Sequence, residues 1–186
     1  EIMIDGKPLD ITAPKTAVTL NIGFVPEDRK TEGLALGRSI GDNIALPELG
    51  ERSHYGIIDQ GSVRSFIQQI IRDLQVKCET PGQEVVNLSG GNQQKVVIGK
   101  WLSGKFKIIF FDQPTRGVDV GSKSEIYQVI RRLAEEKVSM IVASDEIEEL
   151  LDLCDRILVM KKGEIVHEFN NEGNLSKADI LSKMVN

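Results

Sequence analysis

The sequence of 186 residues predicts an α/β fold on three observations. Short apolar runs alternate with amphipathic helical runs through its second half, two runs of strand length flank one such helix, and a hairpin pattern lies near the end. Residues 107–111 read as a buried strand, Ile126, Val129, Ile130, Leu133 and Ala134 recur at helical spacing, and 138–143 is again a strand. Together they make a βαβ unit with parallel strands and a right-handed crossover. A helix around Ile147, Leu150, Leu151 and Cys154 comes next. It is followed by a strand at 156–160, a turn at Lys162 and Gly163, and a returning strand at 164–169. Upstream, Phe66, Ile67, Ile70, Ile71 and Leu74 give one helix a single apolar face. Val96, Val97 and Trp101 belong to a second helix that opens just after Gly90 and Gly91. Residues 1–62 are punctuated by Gly, Pro and Asp, and the sequence carries no internal repeat or low-complexity tract.

With 40% hydrophobic and 27% charged residues, the composition is that of an ordinary soluble globular protein, one core with room for a subdomain. A net charge of -5 offers no basic field to nucleic acid or to an anionic membrane surface, so no nucleic-acid partner is expected. No apolar run approaches the roughly 20 residues a membrane helix needs. The opening EIMIDGKP lacks a charged leader followed by an apolar segment, so neither a span nor a secretion signal is expected. Cys78 and Cys154 are isolated, each inside an apolar helical pattern. The expectation is a reducing, cytoplasmic setting with no disulfide and no thiolate metal site.

The first motif that carries chemistry is LSGGNQQK at 88–95. Two glycines at the mouth of a helix let an anion approach the backbone, the unpaired first-turn amides point outward, and the Ser89 hydroxyl can donate to a phosphate oxygen. A plain helix entry with a serine cap has the same letters. What favours phosphate is the next motif, Ile108-Ile109-Phe110-Phe111-Asp112. This strand ends in a carboxylate where nucleotide-bound magnesium needs a hard oxygen ligand, and it runs straight into Gln113-Pro114-Thr115-Arg116-Gly117-Val118-Asp119.

These runs, together with VPEDRK at 25–30, Glu32-Gly33-Leu34 and Asp155-Arg156-Ile157, resemble the ATPase subunits of ABC transporters. The resemblance is greatest to the second nucleotide-binding half of the tandem ATPases of simple-sugar importers of the ribose, galactose, arabinose and xylose type. It implies a P-loop NTPase fold in three parts: a β-rich start (1–26), a helical subdomain (27–103) and a RecA-like core (104–186). It also implies a signature motif at Leu88, Ser89, Gly90, Gly91, Asn92 and Gln93, a Walker B strand ending at the magnesium ligand Asp112, and Asp119 in the D-loop. The segment around Glu27 would correspond to the Q-loop. The implied cofactors are ATP and Mg2+. The implied partners are the other nucleotide-binding half, the permease subunits and, indirectly, a periplasmic or extracellular sugar-binding protein, which with the permease would choose the sugar. The implied location is the cytoplasmic face of the cell membrane.

The departures from that pattern point in one direction. No GxxxxGK[ST] run occurs in these residues, and the expectation is that the chain begins at the strand that follows such a loop in the family, N-terminally truncated with respect to it. Gln113 stands where the catalytic glutamate is usual, and a neutral amide can position water but cannot take its proton. Asp145 falls on the switch-histidine position, where negative charge repels a γ-phosphate, and Glu27 replaces the usual glutamine, as is common in this half. The expected division of labour is a chain that gives its signature motif to a partner's ATP site while its own site is degenerate. By itself the chain is expected to be inactive. A non-catalytic regulatory or dimerisation domain is the alternative, and an ABC ATPase acting on DNA or ribosomes is disfavoured by charge and motif. His54 and His167 read as surface histidines, Trp101 as core, and Glu146, Glu148, Glu149 and Asp152 as a solvated helix face.

Overall fold

A computed structural model describes residues 2–4 and 6–185. β1 (Ile2–Ile4) and β2 (Lys7–Leu9) pair antiparallel as a short hairpin. α1 (Pro14–Thr19) interrupts the expected β-rich start; it opens on Pro14, whose fixed φ suits a first helical turn, and it buries none of its residues, so no apolar periodicity announces it. β3 (Ile22–Val25) then leads into a π-helical turn (Arg29–Gly33). α2 (Ile40–Ala45) is capped by Ser39, which accepts from Asp42 N at 3.0 Å. A second small hairpin, β4 (Ser53–His54) with β5 (Ile57–Ile58), precedes α3 (Gln60–Asp73) and α4 (Gly90–Gly99).

The organising sheet has the strand order β3-β6-β7, all parallel, where β6 is Ile108–Asp112 and β7 is Ser139–Ala143. α5 (Val120–Glu135) makes the crossover between β6 and β7 and buries Ile126, Val129, Ile130 and Leu133. On that side of the sheet Val25, Ile109 and Phe111 are fully enclosed, and the same core takes in Ile40 and Ile44 of α2, Phe66 and Ile70 of α3, and Val96 to Ile98 of α4. Each such side chain contributes about 1.5–3 kcal/mol by leaving water. The helices of 27–103 and the parallel strands therefore pack around one interior. On the opposite side of the sheet Phe24, Phe110 and Ile141 stand side by side in register and are 48%, 38% and 57% exposed.

The chain ends with α6 (Ile147–Leu153), the hairpin β8 (Arg156–Lys161) with β9 (Glu164–Asn170), and α7 (Lys177–Val185), gathered round Ile147, Ile157, Val159 and Ile180. Lys162 and Gly163 turn the hairpin with φ of 52° and 84°, the left-handed pair that a two-residue turn needs. Trp101 lies beyond the end of α4 rather than within it. It packs against the main core and edge-on to Phe106, with ring centroids 5.0 Å apart. The two free cysteines also lie just past helix ends, after α3 and α6. Burial, aided by the neighbouring Asp155 and Glu149 charges, pushes the Cys154 thiol up to about 11. Among the described residues no helix is long and apolar enough to cross a membrane.

Candidate functional site

The amino end of α4 is where sequence and structure converge. Ser89 occupies the cap position with extended φ and ψ, yet its side chain caps no amide of its own helix. Instead Asn92 Nδ2 donates to Ser89 Oγ at 2.9 Å, leaving the hydroxyl hydrogen for an outside acceptor. Gln93 N bonds back to Ser89 O at 2.9 Å, while the amides of Gly90 and Gly91 precede the helix's first internal bond. Asn92 Oδ1 also accepts from Lys77 N at 2.8 Å, which pins the first turn to the loop after α3. Leu88 is buried in the core just behind. The result is an exposed serine and a set of uncapped amides at the positive end of a ten-residue helix.

Both glycines lie close against other parts of this chain. A Cβ on Gly90 would sit 2.7 Å from Nη2 of Arg29, and one on Gly91 would sit 2.6 Å from Cβ of Ser122 at the start of α5. Their small size brings protein groups close, where the letters alone suggested only room for an anion. Arg29 reaches over this end from the segment after β3. Its Nε donates to Gln93 Oε1 at 3.4 Å, its Nη1 to the Arg116 carbonyl at 3.0 Å and its Nη2 to the Gly117 carbonyl at 3.4 Å. Gln93 is itself buried, its amide nitrogen donating to the carbonyls of Val85 and Val86. Glu27 forms an ion pair with Arg116. Asp119 caps α5 by accepting from Ser122 N at 3.0 Å, and the bonds from the Ser122 amide and hydroxyl hold its carboxyl below the usual range.

A second group of sequence-selected residues meets at the carboxyl ends of β6 and β7. Asp112 closes β6, half-buried and paired in register with Ala143. Gln113 follows in a left-handed conformation (φ 48°) and extends the pairing, its N donating to the Ala143 carbonyl at 2.8 Å. Its side chain meets Asp145. With the amide nitrogen turned to the carboxylate, Gln113 donates to Asp145 Oδ1 at 2.8 Å and its oxygen accepts from Asp145 N at 3.1 Å; the reverse orientation makes a single bond of 3.4 Å. The two positions that depart most from the family pattern are thus each other's partners.

One expectation for α6 is overturned. Glu149 is 1% exposed, not part of a solvated face, and its Oε1 accepts from Thr115 Oγ1 at 2.9 Å. α6 turns Glu149 inward against the loop after β6, where the Thr115 hydroxyl meets it. Burial and the Glu149 charge raise the phenol of Tyr127, which also bonds Thr115. Its three neighbours do face outward, each tied to a cation: Glu146 to Lys123, Glu148 to Lys177 and Asp152 to Arg131. Arg29, Thr115 and Glu149 are the site residues that sequence reasoning missed. The first two lie inside motifs already singled out; for Glu149 only the helical phase relative to Ile147 and Leu150 could have marked it. His54 is exposed in β4, and His167 packs on Phe169 at 4.3 Å between ring centroids.

No protein-family model matches the chain. It is 44% identical over 185 residues to a ribose import ATP-binding protein of Bacillus licheniformis, and 46% identical over 171 residues to one of Lactococcus lactis subsp. cremoris. These alignments cover 100% and 92% of the chain, but the chain spans only 36% and 35% of the two relatives. Among solved structures it superposes on an ATP-binding cassette in a dimeric post-hydrolysis state bound to ADP and Pi, with a TM-score of 0.74 at 25% identity, covering 91% of this chain and 72% of that one. It also superposes on cbiO1 of Clostridium perfringens, part of an ABC transporter complex, with a TM-score of 0.74 at 21% identity and coverage of 97% and 70%.

Proposed function

Because this chain is homologous over its length to sugar-import ATP-binding proteins and has the ATP-binding cassette fold, we propose that it energises import of a simple sugar by giving its signature end to a partner's ATP site. The observation that carries this reading is the uncapped amino end of α4 with its exposed Ser89. Its unpartnered donors suit an anion held by another protein half. Phosphoryl transfer depends mainly on positioning and charge stabilisation, so preorganised donors supplied from across an interface are a catalytic contribution. The partners on this reading are a phosphate-loop-bearing nucleotide-binding half, a membrane permease and, through it, a sugar-binding protein. The location is peripheral, at the cytoplasmic face of the membrane.

The chain's own site reads as degenerate. Gln113 has no basic oxygen to take a proton from water, and its amide is engaged by Asp145. Asp112 is the residue that would hold Mg2+. Among the described residues no group of three or more His, Cys, Asp or Glu is gathered, which fits an ion held mostly by phosphates and water with one protein carboxylate. When bound, that ion neutralises phosphate charge; the chain's part is to present Asp112 from the rigid end of β6.

The test is ATP turnover by the assembled importer in lipid with Ser89→Arg, which puts bulk and positive charge where a phosphate must approach. Turnover should fall on the order of 100-fold or more, the loss seen when a preorganised donor is removed. A regulatory or dimerisation role without nucleotide chemistry is the second reading, favoured by the Gln113–Asp145 pair. It expects Ser89→Arg to leave turnover unchanged.

A further inference from the structure

The guanidinium of Arg29 joins three segments that the chain holds far apart in sequence: the exit of β3, the signature helix α4 through Gln93, and the loop that leads to Asp119 through the Arg116 and Gly117 carbonyls. It also covers Gly90, where even a methyl group would collide with it. Among the described residues none of its acceptors is a carboxylate, and it lies beside the positive end of a helix, where a cation is electrostatically unwelcome. A cation kept there by carbonyl and amide oxygens alone is retained for its geometry. Only a planar fork with donors on three nitrogens can meet these acceptors at once.

We propose that Arg29 is a positioning residue that couples the amino end of α4 to the 116–119 loop, so that Ser89 and Asp119 reach a partner's nucleotide as one unit. This rests on the signature-donating function proposed above. The neighbouring ion pair Glu27–Arg116 anchors the same loop from the same segment, so a movement of 27–33 is transmitted to both ends of the interface. The coupling has a direct consequence for rate. Chemistry that depends on donors held in place loses about 100-fold for a displacement near 1 Å.

The experiment compares Arg29→Lys, Arg29→Ala, Gly90→Ala and the double variant Arg29→Ala/Gly90→Ala in the assembled importer, with Ser89→Arg as a reference. Arg29→Lys keeps the charge but cannot span the three acceptors. It should lower kcat by about 10–100-fold, leave KM for ATP within about threefold and barely change the melting temperature. Gly90→Ala should have the same effect by displacing the guanidinium, and should add nothing once Arg29 is Ala, a non-additivity expected only of groups in contact. Hydrogen exchange reads the coupling without turnover: Arg29→Lys should speed exchange at 90–93 and 116–119 together. Retention of half or more of kcat by Arg29→Lys, strict additivity of the cycle, or faster exchange in only one segment would overturn the proposal. A raised KM at unchanged kcat would do so too, by making Arg29 a nucleotide contact. If Ser89→Arg keeps its turnover while the paired exchange change persists, the donated-signature reading fails and the mechanical coupling stands.

Discussion

Replacing Gln113 with glutamate supplies the carboxylate that the family resemblance would place there, and the structure predicts that it harms the protein without raising turnover. The Gln113 amide nitrogen lies 2.8 Å from Asp145 Oδ1. In the variant two carboxylates meet there. Two unit charges at that distance repel by about 1.5 kcal/mol at the dielectric of water and about 6 at an effective value of 20. Asp145 is exposed, so the lower figure applies, about 1 kcal/mol after screening, with about 1 more for the lost hydrogen bond. For a chain of this length that corresponds to a melting temperature lower by roughly 4–8 °C. The deficit exists only while the introduced glutamate is charged, so it should shrink from neutral to acid pH as that carboxyl takes up a proton. The assay is a set of thermal melts of wild type, Gln113→Glu and Gln113→Glu/Asp145→Asn across that range, with ATP turnover measured alongside. The double variant reverses the donor and acceptor and should recover most of the loss. An unchanged melting temperature for Gln113→Glu, or a severalfold rise in turnover from that substitution alone, would refute the reasoning.

Three further outcomes follow from buried or exposed groups elsewhere. Thr115→Val leaves the enclosed Glu149 carboxylate without its hydroxyl donor and should cost about 1–3 kcal/mol in urea unfolding, whereas Glu149→Gln keeps an acceptor and should cost less. Lys100 is buried with its ammonium on the Gly33 carbonyl, and desolvation lowers it from 10.5 to about 8. The unfolded chain therefore binds more protons between those values, and stability should rise from pH 8 to 10.5 by up to about 3 kcal/mol, a slope that Lys100→Met abolishes in urea titrations. The row Phe24, Phe110 and Ile141 crosses β3, β6 and β7, and among the described residues β7 pairs with β6 alone. The 186 residues by themselves should self-associate in sedimentation, and Ile141→Lys should restore a monomer; a monodisperse wild-type chain would contradict this.

The parallel pair, its crossover helix and the closing hairpin were legible in the sequence because each rests on a local period. Residues 107–111 and 138–143 differ from β6 and β7 by one residue at most, and Lys162-Gly163 is a turn with a mechanism. α1 was not legible. It has six residues and buries none, so hydrophobic periodicity had nothing to register. The third strand of the sheet fell within the β-rich start that only the family resemblance implied, and its pairing with β6 is a contact between residues more than eighty positions apart, which no window contains. The candidate site divides in the same way. Ser89, Gly90, Gly91 and Asp112 announce themselves by residue type beside a helix start or a strand end. Arg29 acts through two carbonyls and an amide supplied by distant segments, and Glu149 is distinguished from Glu148 only by which side of α6 faces the loop after β6.

Hydrogen-bond satisfaction separates the two halves of the site more sharply than residue type does. At the strand ends the groups that the family resemblance would set against nucleotide are used up internally: Gln113 and Asp145 satisfy each other, and the Gln113 amide closes on Ala143. At the helix end the reverse holds: Ser89 accepts from Asn92, and among the described residues its own hydrogen and the amides of Gly90 and Gly91 have no acceptor. Open first-turn amides at an exposed helix start are taken up by water or by a ligand, and on the reading proposed above that ligand is a phosphate held by a partner. On the function proposed above, the chain's contribution lies at α4. Restoring Gln113 would meet a closed pair, whereas blocking Ser89 would remove donors that nothing else in the chain can replace.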